Sequence, residues 1–230
     1  MIADRVAAVR ERIARAAVRS GRDPAAVTLV AVSKGHPPEA VRAARAAGLA
    51  DFGENRVQEA EAKVAALADL RGEVRWHLVG HLQSNKAKKA LAFAELIHSL
   101  DDLDLGLRLG RLSEESGRVT RILIQVDLAG EETKSGLPVA DLTPTLEALR
   151  HAAGLRVEGL MLLPPYEEDA ERVRPFFRRL RELRDEAQRG GLLAGGELSM
   201  GMSHDLEVAV EEGATIVRVG TAIFGERPAR

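Results

Sequence analysis

The chain contains no cysteine among its 230 residues. That excludes a disulfide framework, a thiolate metal site and a cysteine nucleophile. No uninterrupted apolar run reaches the length of a membrane span. The amino terminus, Met1-Ile-Ala-Asp-Arg5, enters a charged helical pattern with no apolar leader core, so the sequence predicts a cytoplasmic protein. Excess charge is also missing. A formal net charge of −2 gives no long-range attraction to nucleic acid or to an acidic membrane. What remains is an ordinary globular composition, 45% hydrophobic and 30% charged.

Periodicity predicts a helix over 2–20, with Val6, Val9, Ile13 and Val18 on one stripe. Eight strand-like segments follow, at 27–34, 49–53, 74–79, 96–99, 120–126, 157–161, 198–200 and 216–219. Helices are predicted between them over 38–47, 56–67, 85–92, 102–116, 141–152, 167–189 and 204–212. Strict alternation implies a parallel sheet, and eight repeats in this length imply a closed (β/α)₈ barrel of the TIM type, one domain over 1–230 with an extra N-terminal helix. Loss of the short second, fourth or seventh strand would reopen a doubly wound alternative. With Arg230 soon after the eighth strand, no covering domain is expected.

Chemistry gathers at the strand ends. Val27-Thr-Leu-Val-Ala-Val-Ser-Lys34 reads as a strand buried on both faces that ends in a lysine, before Pro37 and Pro38 stop it. A lysine there is either a Schiff-base amine with a pKa lowered by burial, or a strand-end lysine whose stem packs while its head reaches water. Ser199, Gly201 and Ser203 after the seventh strand, with Gly220 and Thr221 after the eighth, fit the place where barrels bind phosphate, although Gly and Ser also simply make turns. Phosphate beside a Schiff-base lysine points to pyridoxal phosphate (PLP). Arg218 alternates with Val217 and Val219, so it faces the barrel interior. There it either donates to the cofactor's pyridine nitrogen or joins a buried ion pair.

Other signals carry less. His77 and His81 are four apart but straddle Gly80 at a strand end and lack a third ligand, so no metal site is expected. Lys86, Lys88 and Lys89 read as a solvated face, and Lys134-Ser135 lacks the glycines of a Walker loop.

Several stretches together resemble the pyridoxal-phosphate homeostasis proteins, the YggS/PROSC family. They are Ala31-Val-Ser-Lys34, Phe52-Gly-Glu-Asn55 with Val57-Gln-Glu59, Trp76-His-Leu-Val-Gly80-His-Leu-Gln83-Ser-Asn-Lys86, Lys134-Ser-Gly-Leu137, Gly159-Leu-Met161, Leu198-Ser-Met-Gly-Met-Ser203 and Val217-Arg-Val-Gly-Thr-Ala-Ile-Phe-Gly225. The resemblance implies the barrel of alanine racemase without that enzyme's β-rich second domain. It places the cofactor lysine on Lys34, phosphate contacts on Ser199, Met200, Gly220 and Thr221, the pyridine-nitrogen contact on Arg218, and Asn55 near the cofactor. It implies a carrier or regulator of free PLP, not an enzyme with established turnover. The expected partners are PLP itself and PLP-dependent apoenzymes as candidate recipients, and the expected state is a monomer. The chain departs from the family's commoner wording at Leu162-Leu163, at Gly35-His36 and at His204. Two other readings stay open. One is a racemase-like enzyme in which Tyr166, the single tyrosine, serves as second base. The other is a barrel enzyme whose Lys34 attacks the carbonyl of a phosphorylated sugar.

Overall fold

The computed structural model describes residues 1–130 and 135–226, so Lys134 lies outside the described residues. Eight strands form the barrel wall: β1 (Thr28–Val32), β2 (Asp51–Glu54), β3 (Arg75–Leu78), β4 (Ala94–Leu100), β5 (Thr120–Asp127), β7 (Leu155–Met161), β8 (Glu197–Ser199) and β9 (Ile216–Val219). All neighbours pair in parallel, and the β4–β5 pairing closes the ring. The short second and seventh strands that could have left the sheet open do pair, Asp51 with Arg75 and Met161 with Ser199. A two-residue strand missed by the periodicity, β6 (Leu137–Pro138), pairs in parallel with the end of β5 at Val126 and Asp127.

The helices are α1 (Ile2–Arg19), α2 (Pro38–Ala46), α3 (Val57–Ala66), α4 (Ala87–Leu91), α5 (Leu103–Glu115), α6 (Val139–Leu149), α7 (Arg174–Arg189), α8 (Leu206–Glu211) and α9 (Thr221–Phe224). The helix predicted over 167–189 begins only at Arg174, after a 3₁₀ turn at Ala170–Val173. Pro175 fits this start: it falls in the first turn of α7, where its missing N–H leaves no intrahelical bond unmade. The segment predicted as one helix over 85–92 opens as a 3₁₀ turn, Ser84–Lys86.

The last βα unit has a helix of one turn only. Its place is taken by α1, which buries Val6, Val9, Ile13, Ala16 and Ala17 and packs on α2, α8 and α9. A two-pronged pair from Arg12 to Glu207, at 2.6 and 2.7 Å, ties α1 to α8. The main core lies between strands and helices. A smaller cluster of Val30, Leu96, Leu123, Met161 and Ile216 fills the barrel's middle. Among the described residues no helix is long and apolar enough to cross a membrane.

Candidate functional site

Alternation along β1 decides what reaches the barrel mouth. Val30 and Val32 face inward, so Lys34, two residues on, continues that face at the carboxyl-terminal rim. Ser33 faces the other way, toward α3. Its hydroxyl donates to Glu54 Oε1 at 2.5 Å, and its carbonyl accepts from Lys63 Nζ at 2.7 Å. Lys63 also donates to Glu54 Oε1 at 2.5 Å and to Glu59 Oε1 at 3.0 Å. Glu59 Oε1 then accepts the Gly35 N–H at 2.6 Å. The residues on both sides of Lys34 are therefore fixed by one buried charged cluster behind the sheet. Burial pushes the Glu54 carboxyl upward against the pull of Lys63 and Ser33.

Lys34 opens into a cavity of about 490 Å³ that it shares with Val32, His36, Gly220, Thr221, Gly225 and Glu226. Gly220 sits close against β1. A side chain there would place its Cβ 3.2 Å from the Val32 carbonyl, so glycine keeps the loop backbone on the cavity wall. The lysine and the second of the two expected phosphate loops thus meet in one space.

The other loop contributes differently. The Ser199 hydroxyl is fully buried and turned into the barrel, where Arg218 Nη1 donates to it at 2.6 Å. The Met200 side chain lies in the core, and its N–H donates to the Ile216 carbonyl at 3.1 Å. Ser203 stands further toward the rim and accepts the Ala222 N–H at 3.2 Å.

Arg218 is 4% exposed, which fits the alternation that turned it inward. Nη2 donates to the Leu162 carbonyl at 2.8 Å. Burial brings its pKa down to about 10, with Asp205 opposing the shift, so the guanidinium stays charged at neutral pH. Two of its five N–H donors serve Ser199 and Leu162, which leaves capacity for an acceptor above it.

Asn55 does not line the Lys34 cavity. It borders a neighbouring rim cavity of about 550 Å³ with Arg56, Gln58, Gly80, His81, Gln83 and Lys86. Gly80 is required there, because a Cβ would meet the Asn55 carbonyl oxygen at 2.3 Å. Tyr166 is 78% exposed and packs its ring against His204, at 5.7 Å between centroids. His77 and His81 part company: His77 is buried against Asp51 and His98, while His81 sits outside beside Asp101.

Sequence reasoning missed Glu54, Glu59 and Lys63 as supports, and His36 and Glu226 as cavity residues. The i, i+4 spacing of Glu59 and Lys63 was a readable signal for a helix pair, but not for one turned toward Ser33.

Residues 5–228 match the alanine racemase N-terminal domain model. A pyridoxal phosphate homeostasis protein of Aquifex aeolicus is 47% identical over 97% of each chain, and one of Pseudomonas aeruginosa is 46% identical over 98% of this chain and 96% of that one. Among solved structures, PipY of Synechococcus elongatus PCC7942 with PLP bound has a TM-score of 0.87 at 43% identity, covering 98% of this chain and all of that one. Carrying the alanine racemase N-terminal fold and aligned end to end with these relatives, the chain belongs to the pyridoxal phosphate homeostasis protein family.

Proposed function

We propose that this protein binds PLP and carries or buffers it, holding it as a Schiff base on Lys34. One observation carries the reading: Lys34, Gly220 and Thr221 share a single rim cavity, while Arg218 lies beneath the rim with donors to spare. The relative solved with PLP bound supports the choice of cofactor.

The residues present fit the group. Lys34 supplies the amine for its aldehyde. Gly220 and Thr221 supply backbone and hydroxyl donors for its phosphate, and the glycine removes the Cβ that would crowd them. Arg218 donates toward its ring nitrogen. Ser199 and Met200 belong to the site through the loop they begin, and Ser199 through its hold on Arg218. Asn55 borders the mouth from the next strand. When bound, PLP would supply an electron sink, but a donating arginine leaves its ring nitrogen unprotonated and weakens that sink. The family name given to the relatives supports a homeostatic role over a catalytic one. We place the protein in the cytoplasm as a single-domain monomer whose cofactor passes to PLP-dependent apoenzymes.

The test is borohydride reduction of the PLP-loaded protein followed by peptide mapping. The adduct is expected on Lys34. An adduct confined to Lys86 or Lys134 would overturn the assignment.

A further inference from the structure

A line of buried polar side chains crosses the barrel from its amino-terminal end to Arg218. Asp51 and Arg75 open β2 and β3 at that end and are joined at 2.6 and 2.7 Å. Asp51 Oδ1 lies 3.0 Å from His77 Nε2. His77 Nδ1 lies 2.9 Å from His98 Nε2, and His98 Nδ1 lies 2.8 Å from Ser199 Oγ. Ser199 Oγ takes the hydrogen of Arg218 Nη1. His77, His98, Ser199 and Arg218 are each at most 4% exposed. The barrel interior is otherwise apolar where Val30, Leu96, Leu123, Met161 and Ile216 meet.

Valence gives this line one direction. Arg218 can only donate, so Ser199 Oγ accepts from it and is left its own hydrogen to give. That hydrogen goes to His98 Nδ1. A neutral His98 then carries its proton on Nε2 and donates to His77 Nδ1. His77 in turn carries its proton on Nε2 and donates to the Asp51 carboxylate. Every group is satisfied, both imidazoles are neutral, and charge sits only at the two ends. The opposite direction fails. Arg218 and His98 would both donate to the Ser199 oxygen and strand its hydroxyl hydrogen, and a neutral His77 donating from Nδ1 would turn a bare Nε2 lone pair toward the Asp51 carboxylate.

We propose that Asp51, His77, His98 and Ser199 form a one-way hydrogen-bonded chain that positions the Arg218 guanidinium beneath the bound cofactor. The role assigned to Arg218 rests on the cofactor reading above; the chain itself does not. The four are positioning residues, acting on the cofactor only through Arg218. Burial, with His77 and Arg218 nearby, holds His98 well below its ordinary pKa, consistent with a neutral ring. Asp51 is held down at about 2, since hydrogen bonds from His77 and Arg75 outweigh the upward push of burial, so its carboxylate is ionised to accept.

The experiment has two arms. In the cofactor-free protein, long-range ¹H–¹⁵N spectra of ¹⁵N-histidine report each ring's tautomer. Both His77 and His98 are expected neutral and protonated on Nε2 at pH 7.5. Either ring as the Nδ1–H tautomer or as imidazolium overturns the chain. In the second arm, Ser199→Ala and the milder Asp51→Asn are titrated with PLP. Each should shift the absorption maximum of the bound cofactor, and Ser199→Ala should weaken affinity about threefold to tenfold, the effect of one lost hydrogen bond. Unchanged spectra and affinities in both variants overturn the positioning role. If the unaltered protein takes up no PLP, the cofactor reading falls, while the tautomers still decide the chain.

Discussion

The Gly35 N–H and the Glu59 carboxylate meet at 2.6 Å, one residue past Lys34. Because Lys63 holds the Ser33 carbonyl and the same carboxylate, the chain is clamped immediately before and after the lysine. Lysine otherwise carries large rotational freedom, and a fixed turn reduces what must be ordered on binding. Glu59→Ala removes a charge-assisted bond worth about 1.5–3 kcal/mol. We expect PLP affinity to fall by roughly tenfold to a hundredfold, measured by absorbance titration. Unchanged affinity would show that the clamp does not serve Lys34.

The buried histidine makes stability depend on pH in a stated direction. His98 is held well below its ordinary 6.5, chiefly by desolvation, with the charge of Arg218 adding repulsion. The folded state keeps it neutral while the unfolded chain takes up a proton. Below pH 6.5 the unfolded state therefore binds more protons, and stability falls with acidification. This one group accounts for a slope of up to about 1.4 kcal/mol per pH unit. A lower window belongs to Asp51. Its carboxyl titrates at about 2 when folded against 3.8 ordinarily, so its contribution is lost between those values as pH falls. Urea unfolding at pH 7, 6 and 5 should show a flatter profile for His98→Gln than for the unaltered protein. Parallel profiles would mean that His98 does not carry the dependence.

Much of this was legible in the sequence, and the exceptions are instructive. The β1 strand, its terminal lysine and the alternation that turns Arg218 inward follow from local pattern, and the structure keeps all three. Barrel closure was legible from the count of alternating elements. The polar chain was not. Asp51, His77, His98 and Ser199 come from four strands, and only the closed sheet brings β8 across from β4. Nor did the sequence show that the Ser199 hydroxyl turns into the barrel instead of toward the mouth. That direction is set by its pairing with Arg218 and His98. The one-turn helix α9 escaped because four residues carry no period.

Gly80 provides a test of loop packing. An alanine there would place its Cβ 2.3 Å from the Asn55 carbonyl oxygen, and backbone cannot swing aside as a side chain can. Gly72 is a control: its φ of +88° is left-handed, but nothing lies within 4 Å. Gly80→Ala should cost about 1–3 kcal/mol by overpacking and also displace Asn55, weakening PLP binding. Gly72→Ala should cost about 1–2 kcal/mol of backbone strain and leave binding unchanged. Thermal melts with PLP titrations separate the two. Equal affinities in both variants would remove Asn55 from the site.

Catalysis is the sharpest discriminator between carrier and enzyme. Racemisation in this fold needs bases on opposite sides of the reacting carbon. Tyr166 is a poor candidate: it is 78% exposed, packs on His204, and does not line the Lys34 cavity. The ionisable groups that do line it with Lys34 are His36 and Glu226. Thr221 and Glu226 on that wall are exposed, so water reaches the space and weakens any field that would assist proton abstraction. Arg218, still charged, further disfavours a protonated ring. The PLP-loaded protein should therefore exchange the α-protons of amino acids in deuterium oxide more slowly than about 1 per second, the low end for ordinary enzymes. Tyr166→Phe should leave that slow rate unchanged. Sustained exchange with inversion above that rate, abolished in His36→Asn or Glu226→Gln, would replace the carrier reading with an enzymatic one and would name the second base.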